Sequence, residues 1–309
     1  MPPQTVGAIR KTLRPGRRLP KDTPLAFTFL FPVLFIMGLV ILYPLARGFY
    51  LSLFKYKLID PAGPQFTGAA NYASILKDAV FWRALRNTLV FSGASVIGGS
   101  IMGLVLALLL NANIKFQQFF RGVALVPWIV PYIVVAFLFL FMFSFDVGII
   151  NQTLLMLGLT SKKLAWVASP RLAMLAVVTA TVWNQTPFYM LMFLAGLQSI
   201  PSDIKEAAII DGASSLQLFW RIILPYLQNI IVITTVLMLI RNFNNFPTIW
   251  TMTGGGPVYS TTTLAIYIFR LAFSDFEVGY AAAVGIVWLV MLLVFTGLYV
   301  RRFEREIAL

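Results

Sequence analysis

Six long stretches of this chain pass without a charged side chain, and their order sets the first expectation of its architecture. They run from Pro24 to Ala46, Asn87 to Asn113, Gly122 to Phe145, Leu172 to Ser202, Ile222 to Ile240 with a continuation toward Phe246, and Val278 to Val300. A hydrocarbon layer of about 30 Å takes about 20 residues of helix. The pattern therefore predicts six transmembrane helices, at 24–46, 87–111, 120–144, 172–198, 224–248 and 278–300. A further uncharged run, Asn242 to Phe269, holds Pro247, Gly254, Gly255, Gly256, Pro257 and a Ser/Thr cluster, and reads as a helix end followed by a loop. Between the first two spans, Pro61, Gly63, Pro64 and Gly68 precede a segment, Asn71 to Leu85, whose apolar spacing predicts a short surface helix.

Composition places the chain in lipid rather than water. Of 309 residues, 59% are hydrophobic and 11% charged, against about 45–50% and about 25% for soluble domains. The expected fold class is an all-α membrane protein, with residues 1–23 a basic tail, 24–302 the membrane domain and 303–309 a second tail. The sequence holds no Cys and no His, which removes disulfides, thiolate nucleophiles, the usual zinc ligand sets and every His-based relay. The excess of 24 Lys+Arg over 11 Asp+Glu is topological in a membrane protein and needs no nucleic acid. With the N-terminus inside, short inner segments carry thirteen basic residues and the longer outer segments ten, Arg241 falling in neither class. Both ends are expected in the cytoplasm. The basic start and the apolar run after it lack a small-residue cleavage site, so a retained anchor is expected.

The segment 200–225, IPSDIKEAAIIDGASSLQLFWRIILP, is the most informative in the chain. Ser202 follows Pro201 as an expected N-cap, with Asp203 and Glu206 at the positive end of a helix. Gly212 supplies a left-handed stop, and Ser214 with Gln217 three residues later makes a capping box for a second helix that meets Pro225. The small side chains of Ala207 and Ala208 permit close approach by another protein.

Glu206-Ala207-Ala208, Asp211-Gly212-Ala213, Phe219, Ile222 and Leu224-Pro225 resemble the EAA signature of permease subunits in bacterial binding-protein-dependent ABC importers. The resemblance implies the ABC importer permease fold, with this loop as a cytoplasmic coupling helix that docks on an ATPase subunit. Glu206, Ala207, Ala208, Asp211 and Gly212 are the coupling residues it implies. FTGAANYASIL, LVPWIVP, VWNQTPFYMLMFLAGLQSIP, NFNNFPTIWTMTGGGPVYSTTTLAIYIF and FEVGYAAAVG are similar to the carbohydrate branch of that family, the maltose and glycerol-phosphate type. The chain lacks the extra N-terminal spans and large outer domain of the maltose permease, which leaves the size and identity of the sugar open. A polyol, glycerol phosphate or another anionic sugar derivative is the alternative cargo.

Chemistry points to a cavity on the fifth span. Met238, Arg241, Asn242 and Asn245 lie at i, i+3, i+4 and i+7, one helical face, and polar groups at membrane depth must face protein or water. By resemblance, Asn242 and Asn245 match sugar-contacting positions, as do Asn184 and Gln185 beside Pro187, taken as a helix interruption, and Trp128 and Tyr132 flanking Pro131. Each amide has a second reading as glue between helices, and each aromatic as plain packing. Arg241 also has two readings: it recognises an anionic group on the cargo, or it pairs with an acid on a partner permease.

The glycines 254–256 lack the lysine of a phosphate loop, and no GxxxxGK[ST] occurs anywhere. The resemblance therefore implies no catalytic residue, metal or cofactor in this chain, with ATP and Mg in partner subunits. The implied partners are a second homologous permease, an ATPase dimer, an extracytoplasmic solute-binding protein and a carbohydrate, in a bacterial inner membrane. A secondary transporter would need intramembrane Asp, Glu or His, and a membrane enzyme a nucleophile or metal set. The predicted spans hold neither.

Overall fold

The computed structural model describes residues 23–112 and 114–307. The chain separates into two units, Met1–Tyr50 and Leu51–Leu309. In the first unit the described residues form one continuous helix made of α1 (Thr23–Met37), a π turn at Gly38–Leu42 and the start of α2 (Tyr43–Ser52). Tyr43 N–H bonds to Gly38 O, the i to i+5 closure of a π turn. Large apolar side chains from Phe29 to Tyr50 are exposed along this helix, which in water would be untenable and in lipid is ordinary.

The second unit opens with a small antiparallel ribbon, β1 (Phe54–Lys55) on β2 (Gln65–Phe66), in register Phe54 with Phe66. The predicted surface helix is only α3 (Ala70–Lys77), because α4 (Ala79–Asn111) begins eight residues before the predicted span. Asp78 caps α4 by accepting from Val80 N–H at 2.8 Å. Arg83 and Arg86 marked the edge of the apolar run, but charge does not end a helix. At 33 residues, α4 is about 50 Å long and projects beyond the hydrocarbon.

The predicted third span is broken. α5 (Gln117–Ile129) and α6 (Tyr132–Met142) meet at 94°. Pro131 has no N–H and holds Val130 in an extended conformation (φ −71, ψ 127), so the helix cannot continue through it. α7 (Ile149–Met156), which the sequence did not suggest, lies in the following loop. There Asn151 accepts from Leu164 N–H and Trp166 Nε1 at 3.0 and 3.1 Å and donates to Leu164 O.

α8 (Ala173–Gln198) matches its predicted boundaries and is the central element, buried on nearly every side. Pro187 does not interrupt it, contrary to expectation. The helix carries on through the missing hydrogen bond, as it also does at Pro32 in α1 and Pro127 in α5. α8 lies chiefly against α4, and Gly103 makes the approach possible: a Cβ there would collide with Tyr189 and with the Met190 backbone nitrogen.

After α9 (Ser202–Ile210), the next helix comprises α10 (Ser215–Leu218), a π turn at Phe219–Ile223 and α11 (Leu224–Phe243). It stops at Phe243, short of the predicted 248. The segment read as a loop is instead largely helical: α12 (Pro247–Thr253), with Gly254 as a left-handed stop at φ +57, and α13 (Leu264–Phe273). α12 packs on α6, burying Thr248, Ile249 and Met252. The glycines and threonines that suggested a loop occupy the connection, while Leu264, Tyr267 and Leu271 form the buried face of α13. α14 (Val278–Ile307) runs past the predicted end at 300 into the expected tail.

Among the described residues, four helices are long and apolar enough to cross a membrane, and five crossings result if α5 and α6 make one bent span. α8 has the length, about 39 Å. Its Thr, Asn and Gln side chains make it too polar to be recognised by apolarity alone.

Candidate functional site

α8 and α11 bring two buried amides face to face. Gln185 Nε2 donates to Asn242 Oδ1 at 2.6 Å, and Asn242 Nδ2 donates back to Gln185 Oε1 at 3.2 Å. Each residue is at most 1% exposed. The reciprocal bond uses one N–H and one acceptor site of each amide, half its bonding capacity. Gln185 Nε2 also lies 3.4 Å from the Tyr132 hydroxyl, at the first turn after the Pro131 break. The Arg241 guanidinium sits over the Tyr132 ring, 5.1 Å from its centroid. Tyr132, Gln185, Asn242 and Arg241 thus form one contiguous polar group, with Met238 buried one turn below.

The other predicted residues are placed differently. Asn184, next to Gln185 but about 100° around the helix, donates to Pro127 O at 2.6 Å and Val130 O at 3.1 Å. Those carbonyls are released where Pro131 breaks the helix, and Asn184 satisfies them. Trp128 is 40% exposed and lies 6.0 Å from the Phe188 ring, outside the group. Asn245 is not on the helical face predicted for it, because α11 ends two residues earlier. Its N–H turns back to Asn242 O at 3.1 Å, and its buried Oδ1 has no partner. A proline at 247 favours a break just before it. A large cavity of about 770 Å³ lies elsewhere, between α4, α5 and α8. Its lining, including Met102, Leu106, Val123, Val182 and Pro187, is almost wholly apolar and unsuited to hydroxyls.

The second site is the elbow after α8. α9 begins at Ser202, with Pro201 in the cap position, so Ser202 is the first helical residue rather than the expected cap. Its hydroxyl donates to Asp203 at 3.2 Å. Asp203 lies in the first turn, and Glu206 lies beyond it. At the other end Gly212 has φ +78. Gly212 N–H bonds to Ile209 O at 3.0 Å and Ala213 N–H to Ala208 O at 2.9 Å, the paired closure of a Schellman stop. Two residues later the capping box is complete: Ser214 N–H donates to Gln217 Oε1 at 2.8 Å, and Gln217 N–H to Ser214 Oγ at 3.3 Å. Lys205 Nζ reaches Leu197 O at 3.3 Å, tying the elbow to the end of α8.

The corner is closed by local hydrogen bonds, yet its surface is open. Glu206, Ala207 and Asp211 are exposed, and Ala208 is half-buried. The Glu206 carboxylate makes no hydrogen bond or ion pair among the described residues. Ile209 and Ile210 are 60% and 84% exposed, and Trp220 of the next helix 59%. A rigid acidic and apolar knob of this kind is built to be covered.

A third group was not anticipated from the sequence. Tyr267 and Tyr280 both donate to Asp78 Oδ2, at 2.5 and 2.7 Å, so one carboxylate links the starts of α4 and α14 to α13. Burial raises the Asp78 pKa, but the two phenols and the N–H groups of Val80 and Phe81 outweigh it and hold the carboxyl below its usual range. An acid directly before a helical pattern was the available signal. Nearby, Asn87 Nδ2 donates to Tyr259 O and Thr262 O at 2.8 and 3.0 Å, and Leu264 N–H to Thr88 Oγ1 at 2.9 Å, pinning the glycine-threonine connection to α4.

Residues 99–307 match the family described as binding-protein-dependent transport system inner membrane component. Over 280 residues the chain is 36% identical to the sulfoquinovosyl glycerol transport system permease protein SmoG of Agrobacterium fabrum, covering 91% of this chain and 90% of that protein. It is 35% identical over 288 residues to the trehalose/maltose transport system permease protein MalF of Thermococcus litoralis, covering 93% and 96% respectively. Among solved structures, a chain of a bacterial alginate ABC transporter, crystallised with an alginate pentasaccharide-bound periplasmic protein, aligns with a TM-score of 0.77 at 25% identity, covering 93% of this chain and 96% of that one.

Proposed function

We propose the role of this chain from the family to which it belongs, the binding-protein-dependent transport system inner membrane components: it is a permease subunit of an ATP-driven importer of a sugar or oligosaccharide. The relatives named for sugar transport and the polar group at Tyr132, Gln185, Asn242 and Arg241 support carbohydrate as the cargo. The chain crosses the inner membrane six times, with α5 and α6 as one bent crossing and α8 as the polar central one, and keeps both ends in the cytoplasm. A second, homologous permease completes the pathway, and an extracytoplasmic binding protein delivers the sugar. ATP and Mg belong to a pair of ATPase subunits, and this chain holds no catalytic residue.

The observation that carries the coupling role is the elbow: a helix stopped by Gly212 at φ +78, a capping box beyond it, and Glu206, Ile209 and Ile210 left exposed. In this mechanism α9 seats on an ATPase subunit. When ATP draws the ATPases together, the elbow transmits the motion without bending, because its hydrogen bonds are internally satisfied. The bundle then turns the Tyr132, Gln185, Asn242 and Arg241 group outward to receive sugar, and hydrolysis returns it inward. Asn184 holds the Pro131 bend, and Asn245 with its unpartnered oxygen is a further candidate contact for hydroxyls. Trp128 contributes an aromatic face beside the path.

The test is the assembled transporter in proteoliposomes with its sugar-loaded binding protein. Glu206→Lys reverses an exposed charge that supports nothing inside the chain, so the protein should assemble in the membrane while stimulated ATP hydrolysis and uptake both fall at least tenfold. Full uptake with this change removes the coupling role.

A further inference from the structure

Arg241 lies inside the predicted fifth span, and its surroundings among the described residues are specific. It is exposed, its guanidinium lies over the Tyr132 ring at 5.1 Å, and no carboxylate pairs with it. The ion pair within the described residues is Lys57 with Glu277, on other elements. α4, α5, α6, α8 and α11 contain no Asp or Glu at all. Arg241 lies in the last turn of α11, where the free carbonyls favour a cation, but they supply only about half a negative charge. A full positive charge is therefore held, uncompensated, at the edge of the polar group.

We propose that Arg241, carried on the face of Tyr132, selects an anionic sugar: a carbohydrate bearing a carboxylate or another oxyanion, bound with its charged group on the guanidinium. This rests on the reading of the Tyr132, Gln185, Asn242 and Arg241 group as the carbohydrate site. The chemistry is directional. The N–H edge of a guanidinium matches the two oxygens of a carboxylate. Gln185 and Asn242 bond each other and act as a fixed floor with half of each amide's capacity open, and Arg241 carries the charge of the group. With no competing acid among the described residues around it, that charge discriminates between a uronate and the matching hexose.

The measurement is equilibrium dialysis of radiolabelled D-glucuronate against D-glucose, and of D-galacturonate against D-galactose, on the assembled transporter purified without its binding protein. In at least one pair the uronate should bind at least tenfold more tightly than its hexose, with the advantage shrinking as ionic strength rises. Arg241→Gln should bring that pair within twofold, while Arg241→Lys keeps part of the preference. Tyr132→Leu, which removes the platform and spares the charge, should reduce the preference severalfold. Equal binding of uronate and hexose by the unaltered protein overturns the proposal. So does loss of the second permease from the complex on Arg241→Gln, which would make the residue an intersubunit ion-pair partner. If no sugar binds while the loaded binding protein still stimulates ATP hydrolysis, the proposal and its site fail and the permease role stands. If that stimulation is also absent, the permease role fails with them.

Discussion

The stop at Gly212 lends itself to a graded test, because its cost can be isolated. A Cβ at this position would meet nothing within 4 Å, so space is not the constraint, whereas φ is +78. Gly212→Ala therefore leaves contacts intact and imposes only the penalty for an L residue in the left-handed region, about 1–2 kcal/mol. That corresponds to a factor of about 5–30 in the population of the formed elbow. Asparagine enters this region more readily than other side chains, so Gly212→Asn should retain most of the activity. Gly212→Pro locks φ near −65° and deletes the Gly212 N–H bond to Ile209 O, so it should abolish coupling. The assay is ATP hydrolysis by the reconstituted transporter, with and without loaded binding protein, beside a membrane-fraction blot that shows the subunit is present. The expected order is Gly, Asn, Ala, Pro. Equal stimulation by the Asn and Ala variants, or retained coupling with Pro, refutes the claim that the elbow works as a fixed corner.

Three further outcomes follow from the packing and the hydrogen bonds. Gln185→Ala strands the buried Asn242 amide, at a cost of about 1–3 kcal/mol. Adding Asn242→Ala should cost less than the sum of the two single changes, and thermal unfolding of the purified complex would reveal additivity if the reciprocal bond were absent. Gly103→Val should lower the unfolding midpoint by driving a side chain into Tyr189 and the Met190 backbone, whereas Gly285→Ala, with open space around it, should not. Asp78→Asn should loosen the outer ends of α4, α13 and α14. Because the folded pKa lies below the ordinary value of 3.8, the carboxylate's contribution is present above that pH and is lost as pH falls through the folded value. The stability gap between variant and unaltered protein should therefore be full at pH 7 and close below about pH 4. A gap independent of pH would contradict it.

Much of this protein was decided by local sequence. Charge-free runs of 20 or so residues favour helices in lipid, since a helix satisfies its backbone groups within its own segment. The elbow was legible because its instructions are local as well: a glycine for a positive φ, then Ser214 and Gln217 at capping-box spacing, each acting within four residues. Asn242 and Gln185 were visible as amides where amides are costly. Tertiary structure decided what those groups do. Nothing in the order of residues says that Gln185 meets Asn242, 57 positions away, or that Asn184 turns aside to close the carbonyls at Pro131. Proline ended α5, where Pro131 follows an extended Val130, but sits inside α8 at 187 without ending it. Asn245 left its expected face when the chain turned ahead of Pro247, and Pro247–Thr253 became a helix where α6 gave Ile249 and Met252 a surface to bury. The environment that makes Arg241 unusual, five helices without one carboxylate and a tyrosine ring beneath it, exists only after those helices have packed.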